Sequence, residues 1–412
     1  MFKRNIKPLL QKALLRSPVV LLNGARQVGK TTLVLEFLKD KNFNYLTFDD
    51  EMVYLAAKSD PAGFISNLQK PVILDEVQRL PEIFLPIKMD VDKNRIPGRY
   101  LLTGSANPLL IPRLGDSLAG RMEIVDLMPL SQGEILGLAE NFIDIIFSDQ
   151  QLKTPKNSLS REDLFKKILI GGYPSVQNVD EETYEAWMRS YLNLILQRDI
   201  KDLAQIEKLT ELPNILRVLA TRASNLLNVS EVSRECKMVA QTLHRYIALL
   251  ETIFLISLQP SWHTNFLLRC IKSPKLFLVD SGLLTYILGV NLEKMLTNNP
   301  ENGKVVENFV VIELKKQITW SKIRPSMYHF RTDSGEEVDI ILENRAGQIV
   351  GIEIKASENV DPRDFKILKK LREKMPDKFV KGIMLYTGSK HIPFGDNLHA
   401  MPISSLWQLQ QE

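Results

Sequence analysis

The stretch GARQVGKT, residues 24–31, has the form G-x-x-x-x-G-K-T, with Gly24, Gly29, Lys30 and Thr31 at its fixed positions. Glycines let a backbone wrap closely around phosphates, while successive amides and a helix start supply positive potential. Such a loop works only between a buried strand and a helix, and both flanks are present. PVVLLNG (18–24) is an apolar run of strand length, and KTTLVLEFLKD (30–40) repeats apolar residues at helical spacing. The loop therefore predicts ATP bound along Gly24, Ala25, Arg26, Gln27, Val28, Gly29, Lys30, Thr31 and Thr32. Lys30 is placed to reach the β- and γ-phosphates, and Thr31 to ligate Mg²⁺.

Working outward, apolar strands alternate with amphipathic helices. FNYLTFDD (43–50), PVILDE (71–76), RYLLTGSAN (99–107) and RMEIVDLMPL (121–130) read as strands, with helices DPAGFISNL (60–68) and PEIFLPIKMDVDK (81–93) among them. That alternation predicts an α/β domain built on a mainly parallel sheet with helices on both faces. In VILDE (72–76), Asp75 ends a strand where open α/β sheets bind ligands, and would hold the Mg²⁺ shell. Glu76 is then placed to orient or deprotonate the water that attacks the γ-phosphate. Thr103, Ser105 and Asn107 close a later strand, either as contacts to the γ-phosphate or its water, or as a plain polar turn. Arg121, in LAGR (118–121), reads either as an arginine finger, joining the nucleotide-binding set, or as a surface charge.

SDQQLKTPKNSLSRED (148–163) breaks the pattern and reads as a linker. A helical region follows, its longest periodic segment at 181–206. Residues 228–260 then read as helix, turn, helix and strand, the outline of a winged helix. Gln241, His244 and Arg245 fall where groove contacts are made, although such modules also serve as packing elements.

The last section carries GEEVDIILENRAGQIVGIEIKAS (335–357). Strand alternation sets Glu337 and Asp339 on one face and Glu353 and Lys355 on one face, with the RAG turn joining two strands. Asp339 and Glu353 are thereby predicted to converge on a Mg²⁺, with Lys355 near its water and Glu307 as a further carboxylate. The competing reading is a solvated cross-strand salt pair.

The chain has 412 residues, 44% hydrophobic and 25% charged, which suits a globular protein of about two to four domains. Lys and Arg total 53 against 49 acidic residues, a net charge of +4 that permits a nucleic-acid partner without demanding one. Cys236 and Cys270 make no disulfide framework, as expected of a cytoplasmic protein. The most apolar run, YIALLETIFLISL (246–258), is too short to span a bilayer and contains Glu251, so no membrane partner is expected. Residues 1–17 read as a basic amphipathic helix packed beside the first strand.

GARQVGKTTL, VILDEVQRLPEIF, LLTGSANPLL, LAGRMEIVDLMPLSQGE, GGYPSV, KLFLVDSGLL and EEVDIILEN…GIEIKAS together resemble a large bacterial and archaeal family of AAA-type ATPases with a C-terminal restriction-endonuclease-like domain. The resemblance implies four parts: an AAA-type P-loop core at 1–136, a helical lid or linker at 137–210, a winged helix at 211–265 and the nuclease-like α/β domain at 266–412. It also implies Ser105 or Asn107 near a sensor position, and a homo-oligomer, hexameric in the manner of AAA rings, with Arg121, Arg113 or Arg198 as candidates to act across a subunit boundary. The function expected is ATP hydrolysis coupled to DNA binding or processing. The alternative is a nucleotide-controlled switch on protein partners whose nuclease-like domain is inactive.

Overall fold

The computed structural model describes residues 1–41, 43–106, 118–152, 159–199, 209–263, 265, 269, 272–297, 299–332 and 334–409. Five parallel strands form the N-terminal sheet: β1 (Val19–Asn23), β2 (Asn44–Thr47), β3 (Val72–Asp75), β4 (Tyr100–Gly104) and β5 (Met122–Asp126), in the order β2-β3-β4-β1-β5. β1, β3 and β4 are buried along their whole length because helices cover both faces. Alternation divides their side chains between two apolar layers. Val20, Leu22, Ile73 and Leu101 pack with Leu33, Val34 and Phe37 on one face. Val19, Leu21, Val72, Leu74 and Leu102 pack with Ile83, Phe84, Ile87 and Val91 on the other. The expected N-terminal helix runs Lys7–Arg16 and lies beside β1 and β5, burying Leu10, Ala13 and Leu14.

The register does the positioning. Asn23 stands level with Gly104 and Asp126, and Thr47 with Asp75. Everything leaving the C-terminal ends of β1, β3 and β4 therefore meets along one rim, where a parallel sheet binds ligands.

Helices Arg161–Ile170 and Glu181–Leu194 follow, each opened by a side-chain cap from Ser160 or Asp180. Then come helices Leu212–Thr221, Val229–Glu235 and Ala240–Thr252, and the antiparallel pair β6 (Ile256–Gln259) and β7 (Lys275–Leu278). A bridge from Leu226 to Lys275 adds a third short segment to that pair. The C-terminal part is a mixed six-stranded sheet: β8 (Ser326–Arg331), β9 (Glu337–Glu343), β10 (Ile349–Lys355), β11 (Phe379–Tyr386), β12 (Ile392–Pro393) and β13 (Leu398–Pro402), in the order β12-β13-β11-β10-β9-β8. Helix Glu301–Trp320 packs on β10 and is buried along most of its length. The short strands β12 and β13 had no clear signature in the sequence.

The pieces share one apolar cluster reaching from Ile6 to Leu409. Segments distant in sequence approach very closely within it. A Cβ on Gly172 would lie 2.2 Å from the Leu130 carbonyl oxygen, so this contact requires glycine. Among the described residues, no helix is long and apolar enough to cross a membrane.

Candidate nucleotide site and a second carboxylate cluster

The chain leaves β1 at Gly24, with φ +156°, and an added Cβ there would sit 2.1 Å from the Leu127 carbonyl oxygen. Gln27 and Gly29 take positive φ of 61° and 95°, which coils the loop tightly ahead of helix Lys30–Lys41. Gln27 is a non-glycine residue in left-handed backbone, a costly conformation typical of functional loops. The Lys30 ammonium, 4% exposed, donates to the carbonyls of Gly24 and Ala25 at 2.9 Å each and so lies inside the loop's curve. Thr31 and Thr32 follow Lys30 in the first turn of the helix. Outside the loop, Arg4 donates to the Val28 carbonyl at 2.7 Å and the Met128 carbonyl at 2.7 Å, and pairs with Glu134 at 3.1 Å. Arg26 presents its carbonyl to the Tyr191 hydroxyl at 3.4 Å.

Asp75, 3% exposed, is the hub of the rim. Its carboxylate accepts from the Thr31 hydroxyl at 3.0 Å, the Tyr45 hydroxyl at 2.7 Å and the Thr103 hydroxyl. Burial, reinforced by the bond to Asp75, pushes the Tyr45 phenol well above its usual range, so it stays a donor. The neighbouring Glu76 has φ 60°, which turns its side chain off the strand line. Its amide donates to Thr103 Oγ1 at 3.0 Å. Its carboxylate accepts from the Gln78 amide and, at 3.3 Å, from the Ser105 hydroxyl. Gln78 also donates to Ser105 Oγ at 2.8 Å. Thr31 and Asp75 offer a hydroxyl and a carboxylate, hard oxygens that fit a Mg²⁺ accompanying a nucleotide.

Tyr45, Gln78 and Arg4 escaped the sequence reading. Gln78 lies two residues beyond Glu76 and carries a faint signal. Tyr45 and Arg4 carry none, because Asp75 lies 30 residues from Tyr45, and Val28 and Glu134 lie 24 and 130 residues from Arg4. The structure sets Arg121 apart from the other expected nucleotide ligands. Its carbonyl accepts from Val19 at the start of β1, roughly 16 Å of strand from the loop, and its guanidinium pairs with Asp92 at 2.5 Å. Parallel strands put the two ends of the sheet on opposite sides, so Arg121 cannot serve its own nucleotide. Asn107 and Arg113 lie outside the described residues, as does the side chain of Arg198.

A second polar centre joins β7 to the C-terminal sheet. Lys275, 3% exposed, pairs with Glu307 at 2.8 Å, Glu337 at 2.5 Å and Asp339 at 3.3 Å. Asp339 also accepts from the Ile354 amide at 2.9 Å, which sets its carboxyl beside Glu353 on the neighbouring strand. Lys355 is not part of this group and pairs with Asp364. Burial and the adjoining Asp339 push Glu307 up to about 8 and Glu353 well above the usual carboxylate range. Burial alone would lower the Lys275 ammonium, but Glu307, Asp339 and Glu337 reverse that and raise it, so it stays charged. As they stand, these residues do not fit a bound Mg²⁺, since an ammonium fills the point where the carboxylates converge. Among the described residues, no group of three or more His, Cys, Asp or Glu side chains is spaced to hold a metal ion.

Residues 16–136 match the family model described as an AAA domain. Residues 161–294 and 302–406 match two further models, each described as a domain of unknown function. An uncharacterised protein of Mycobacterium tuberculosis is 29% identical over 407 residues, covering 98% of this chain and 84% of that one. An uncharacterised protein of Methanocaldococcus jannaschii is 21% identical over 420 residues, covering 96% and 88%. Among solved structures, a Walker-type ATPase of Pyrococcus abyssi aligns with a TM-score of 0.43 at 18% identity, over 70% of this chain and 96% of that one. The Holliday junction branch migration motor RuvB of Thermotoga maritima aligns with a TM-score of 0.28 at 17% identity, over 62% and 89%.

Proposed function

We propose, from the match of residues 16–136 to an AAA domain and the phosphate-binding loop within them, that the protein hydrolyses ATP and couples turnover to DNA through its middle and C-terminal parts. The observation that carries the hydrolytic part is the set Glu76–Gln78–Ser105, hydrogen-bonded together on the same rim as Thr31 and Asp75. Mg²⁺ bound with ATP would neutralise phosphate charge and would be held by Thr31 and Asp75. Lys30 exchanges the carbonyls of Gly24 and Ala25 for β- and γ-phosphate oxygens. Glu76, aimed by Gln78 and Ser105, takes the proton of the attacking water. Arg121, remote from its own loop, acts on a neighbour in a homo-oligomer, hexameric by analogy with AAA rings.

DNA contact is supported by helix Ala240–Thr252, which buries Leu243, Tyr246, Ile247 and Leu250 and exposes Gln241, His244 and Arg245. The order of the three helices and the β6–β7 pair reads as a winged helix whose wing is committed elsewhere. The chain after β6 lies on β8, with the Trp262 amide donating to the His329 carbonyl at 2.6 Å. A helix, three strands, a helix and a strand support the restriction-endonuclease-like reading of the C-terminal part. With Lys275 among its carboxylates, that domain binds DNA without cutting it. The same arrangement favours the second reading, a switch on protein partners with an inactive nuclease-like domain.

Phosphate release, with and without duplex DNA, tests the proposal. Lys30→Ala is expected to lose ATP binding. Glu76→Gln is expected to bind ATP while turnover falls about 10²–10⁴-fold. Full turnover in Glu76→Gln would sink the hydrolytic assignment. A wild-type rate indifferent to DNA and RNA would leave the protein-partner switch.

A further inference from the structure

The end of helix Arg161–Ile170, the start of helix Glu181–Leu194 and the helices Ser281–Leu288 and Leu292–Leu296 border an open cleft of about 560 Å³. That volume suits a ligand site. Tyr184 fixes one wall, its hydroxyl donating to the Leu169 carbonyl at 2.9 Å with the Gly282 carbonyl 3.1 Å away. Gly289, at φ 62°, ends helix Ser281–Leu288 in left-handed backbone and turns the chain so that Val290 and Leu292 line the same cleft. On its sides Ile170 and Val179 are each 38% exposed, apolar surface that a docked aliphatic group would remove from water.

The charge at the cleft has one sign. Asp180, Glu181 and Glu185 line it, and among the described residues no lysine or arginine does. All three carboxylates are exposed, and none makes an ion pair among the described residues. Lys294, on the neighbouring helix, donates to the Gly289 carbonyl at 2.7 Å and lines a separate cavity. Asp180 and Glu181 also serve their own helix, as cap and first-turn acid. Glu185 lies in the second turn, where neither role applies. Bonds from Thr183 hold the Asp180 carboxyl below its usual range, so it stays charged.

We propose that this cleft docks a segment of a partner protein, an aliphatic side chain filling the space between Ile170 and Val179 while adjoining Lys or Arg side chains meet Asp180, Glu181 and Glu185. The carboxylates run along a helix edge and do not converge as a metal-holding group would. Such a row suits cations carried along a chain better than a single charged head. The same helix reaches the phosphate loop, where the Tyr191 hydroxyl donates to the Arg26 carbonyl at 3.4 Å. The inference stands on the cleft alone and does not require ATP turnover.

A phage-displayed library of random heptapeptides, selected on the full chain and counter-selected on Glu185→Lys, tests it. Sequences with an aliphatic residue beside Lys or Arg are expected to be enriched. The leading peptide, labelled with fluorescein, is then titrated by anisotropy. Val179→Ser is expected to weaken its binding about tenfold, as truncation of a central contact does. Rising salt should weaken wild-type binding as well. Both side chains are exposed, so each variant should keep the wild-type unfolding midpoint. No enrichment, enrichment of acidic or uncharged sequences, or equal affinity in Val179→Ser would overturn the proposal. So would self-association that Glu185→Lys abolishes in sedimentation velocity, which would give the cleft to a second copy of this chain.

Discussion

Gly24 stands where a side chain has no room, and the obstacle is backbone rather than a movable neighbour. A Cβ 2.1 Å from the Leu127 carbonyl oxygen forces the end of β1 and the segment after β5 apart. Gly24→Ala is therefore expected to cost about 1–3 kcal/mol in a denaturant unfolding series and to weaken ATP binding in a fluorescent-nucleotide titration. A variant with unchanged stability and affinity would show that the segment after β5 yields freely. Gly24, Lys30, Thr31 and Asp75 were legible as a group because each sits at a fixed offset from an apolar strand. Gln78 and Tyr45 were not, since their roles depend on which strands lie side by side.

Helix Ala240–Thr252 shows how one element divides between support and contact. Its buried stripe holds it against the neighbouring helix Val229–Glu235 and β6, while Gln241, His244 and Arg245 face outward. Leu243→Ala is expected to lower stability by about 2–5 kcal/mol through lost burial and the cavity left behind. Arg245→Ala should leave stability within about 0.5 kcal/mol and weaken duplex binding, with a shallower dependence on salt. Anisotropy titrations across ionic strength read both quantities. Equal DNA affinity in Arg245→Ala would remove this face from the proposed interface. The helix was legible from its periodicity. The packing of the following hairpin onto β8 was not, because nothing local marks a wing that docks on another sheet.

Across the whole molecule, a buried polar network ties the phosphate loop to the C-terminal part. Arg4 grips the loop and Glu134. Asn5 donates to Glu140 at 3.0 Å, and Gln317 on helix Glu301–Trp320 reaches the same carboxyl at 3.5 Å. On that helix, Lys316 bonds Glu313 at 2.6 Å and the Leu130 carbonyl at 2.9 Å. Burial, then the nearby Glu313, pushes Glu140 up to about 8 from an ordinary 4.5. The folded state thus holds a proton that the unfolded chain releases across that range. Stability from this group is full below 4.5 and is lost as pH rises through about 8. Glu140→Gln, neutral at every pH, is expected to show a smaller fall in unfolding midpoint over the same window. Parallel pH profiles of variant and wild type would refute the assignment.

The sequence by itself determined the phosphate loop, the parallel sheet around it, the carboxylates at its rim and the hairpin that carries Asp339 and Glu353. These follow from short offsets, strand alternation and one hairpin, which hold whatever the rest of the chain does. Only the tertiary structure decided that Arg121 lies at the far end of the sheet, that Arg4 braces the loop and that Lys275 enters the C-terminal carboxylates. Each of those contacts joins elements distant in sequence. A charged side chain is assigned its partner by the packing of the elements that carry it, and no local pattern encodes that packing.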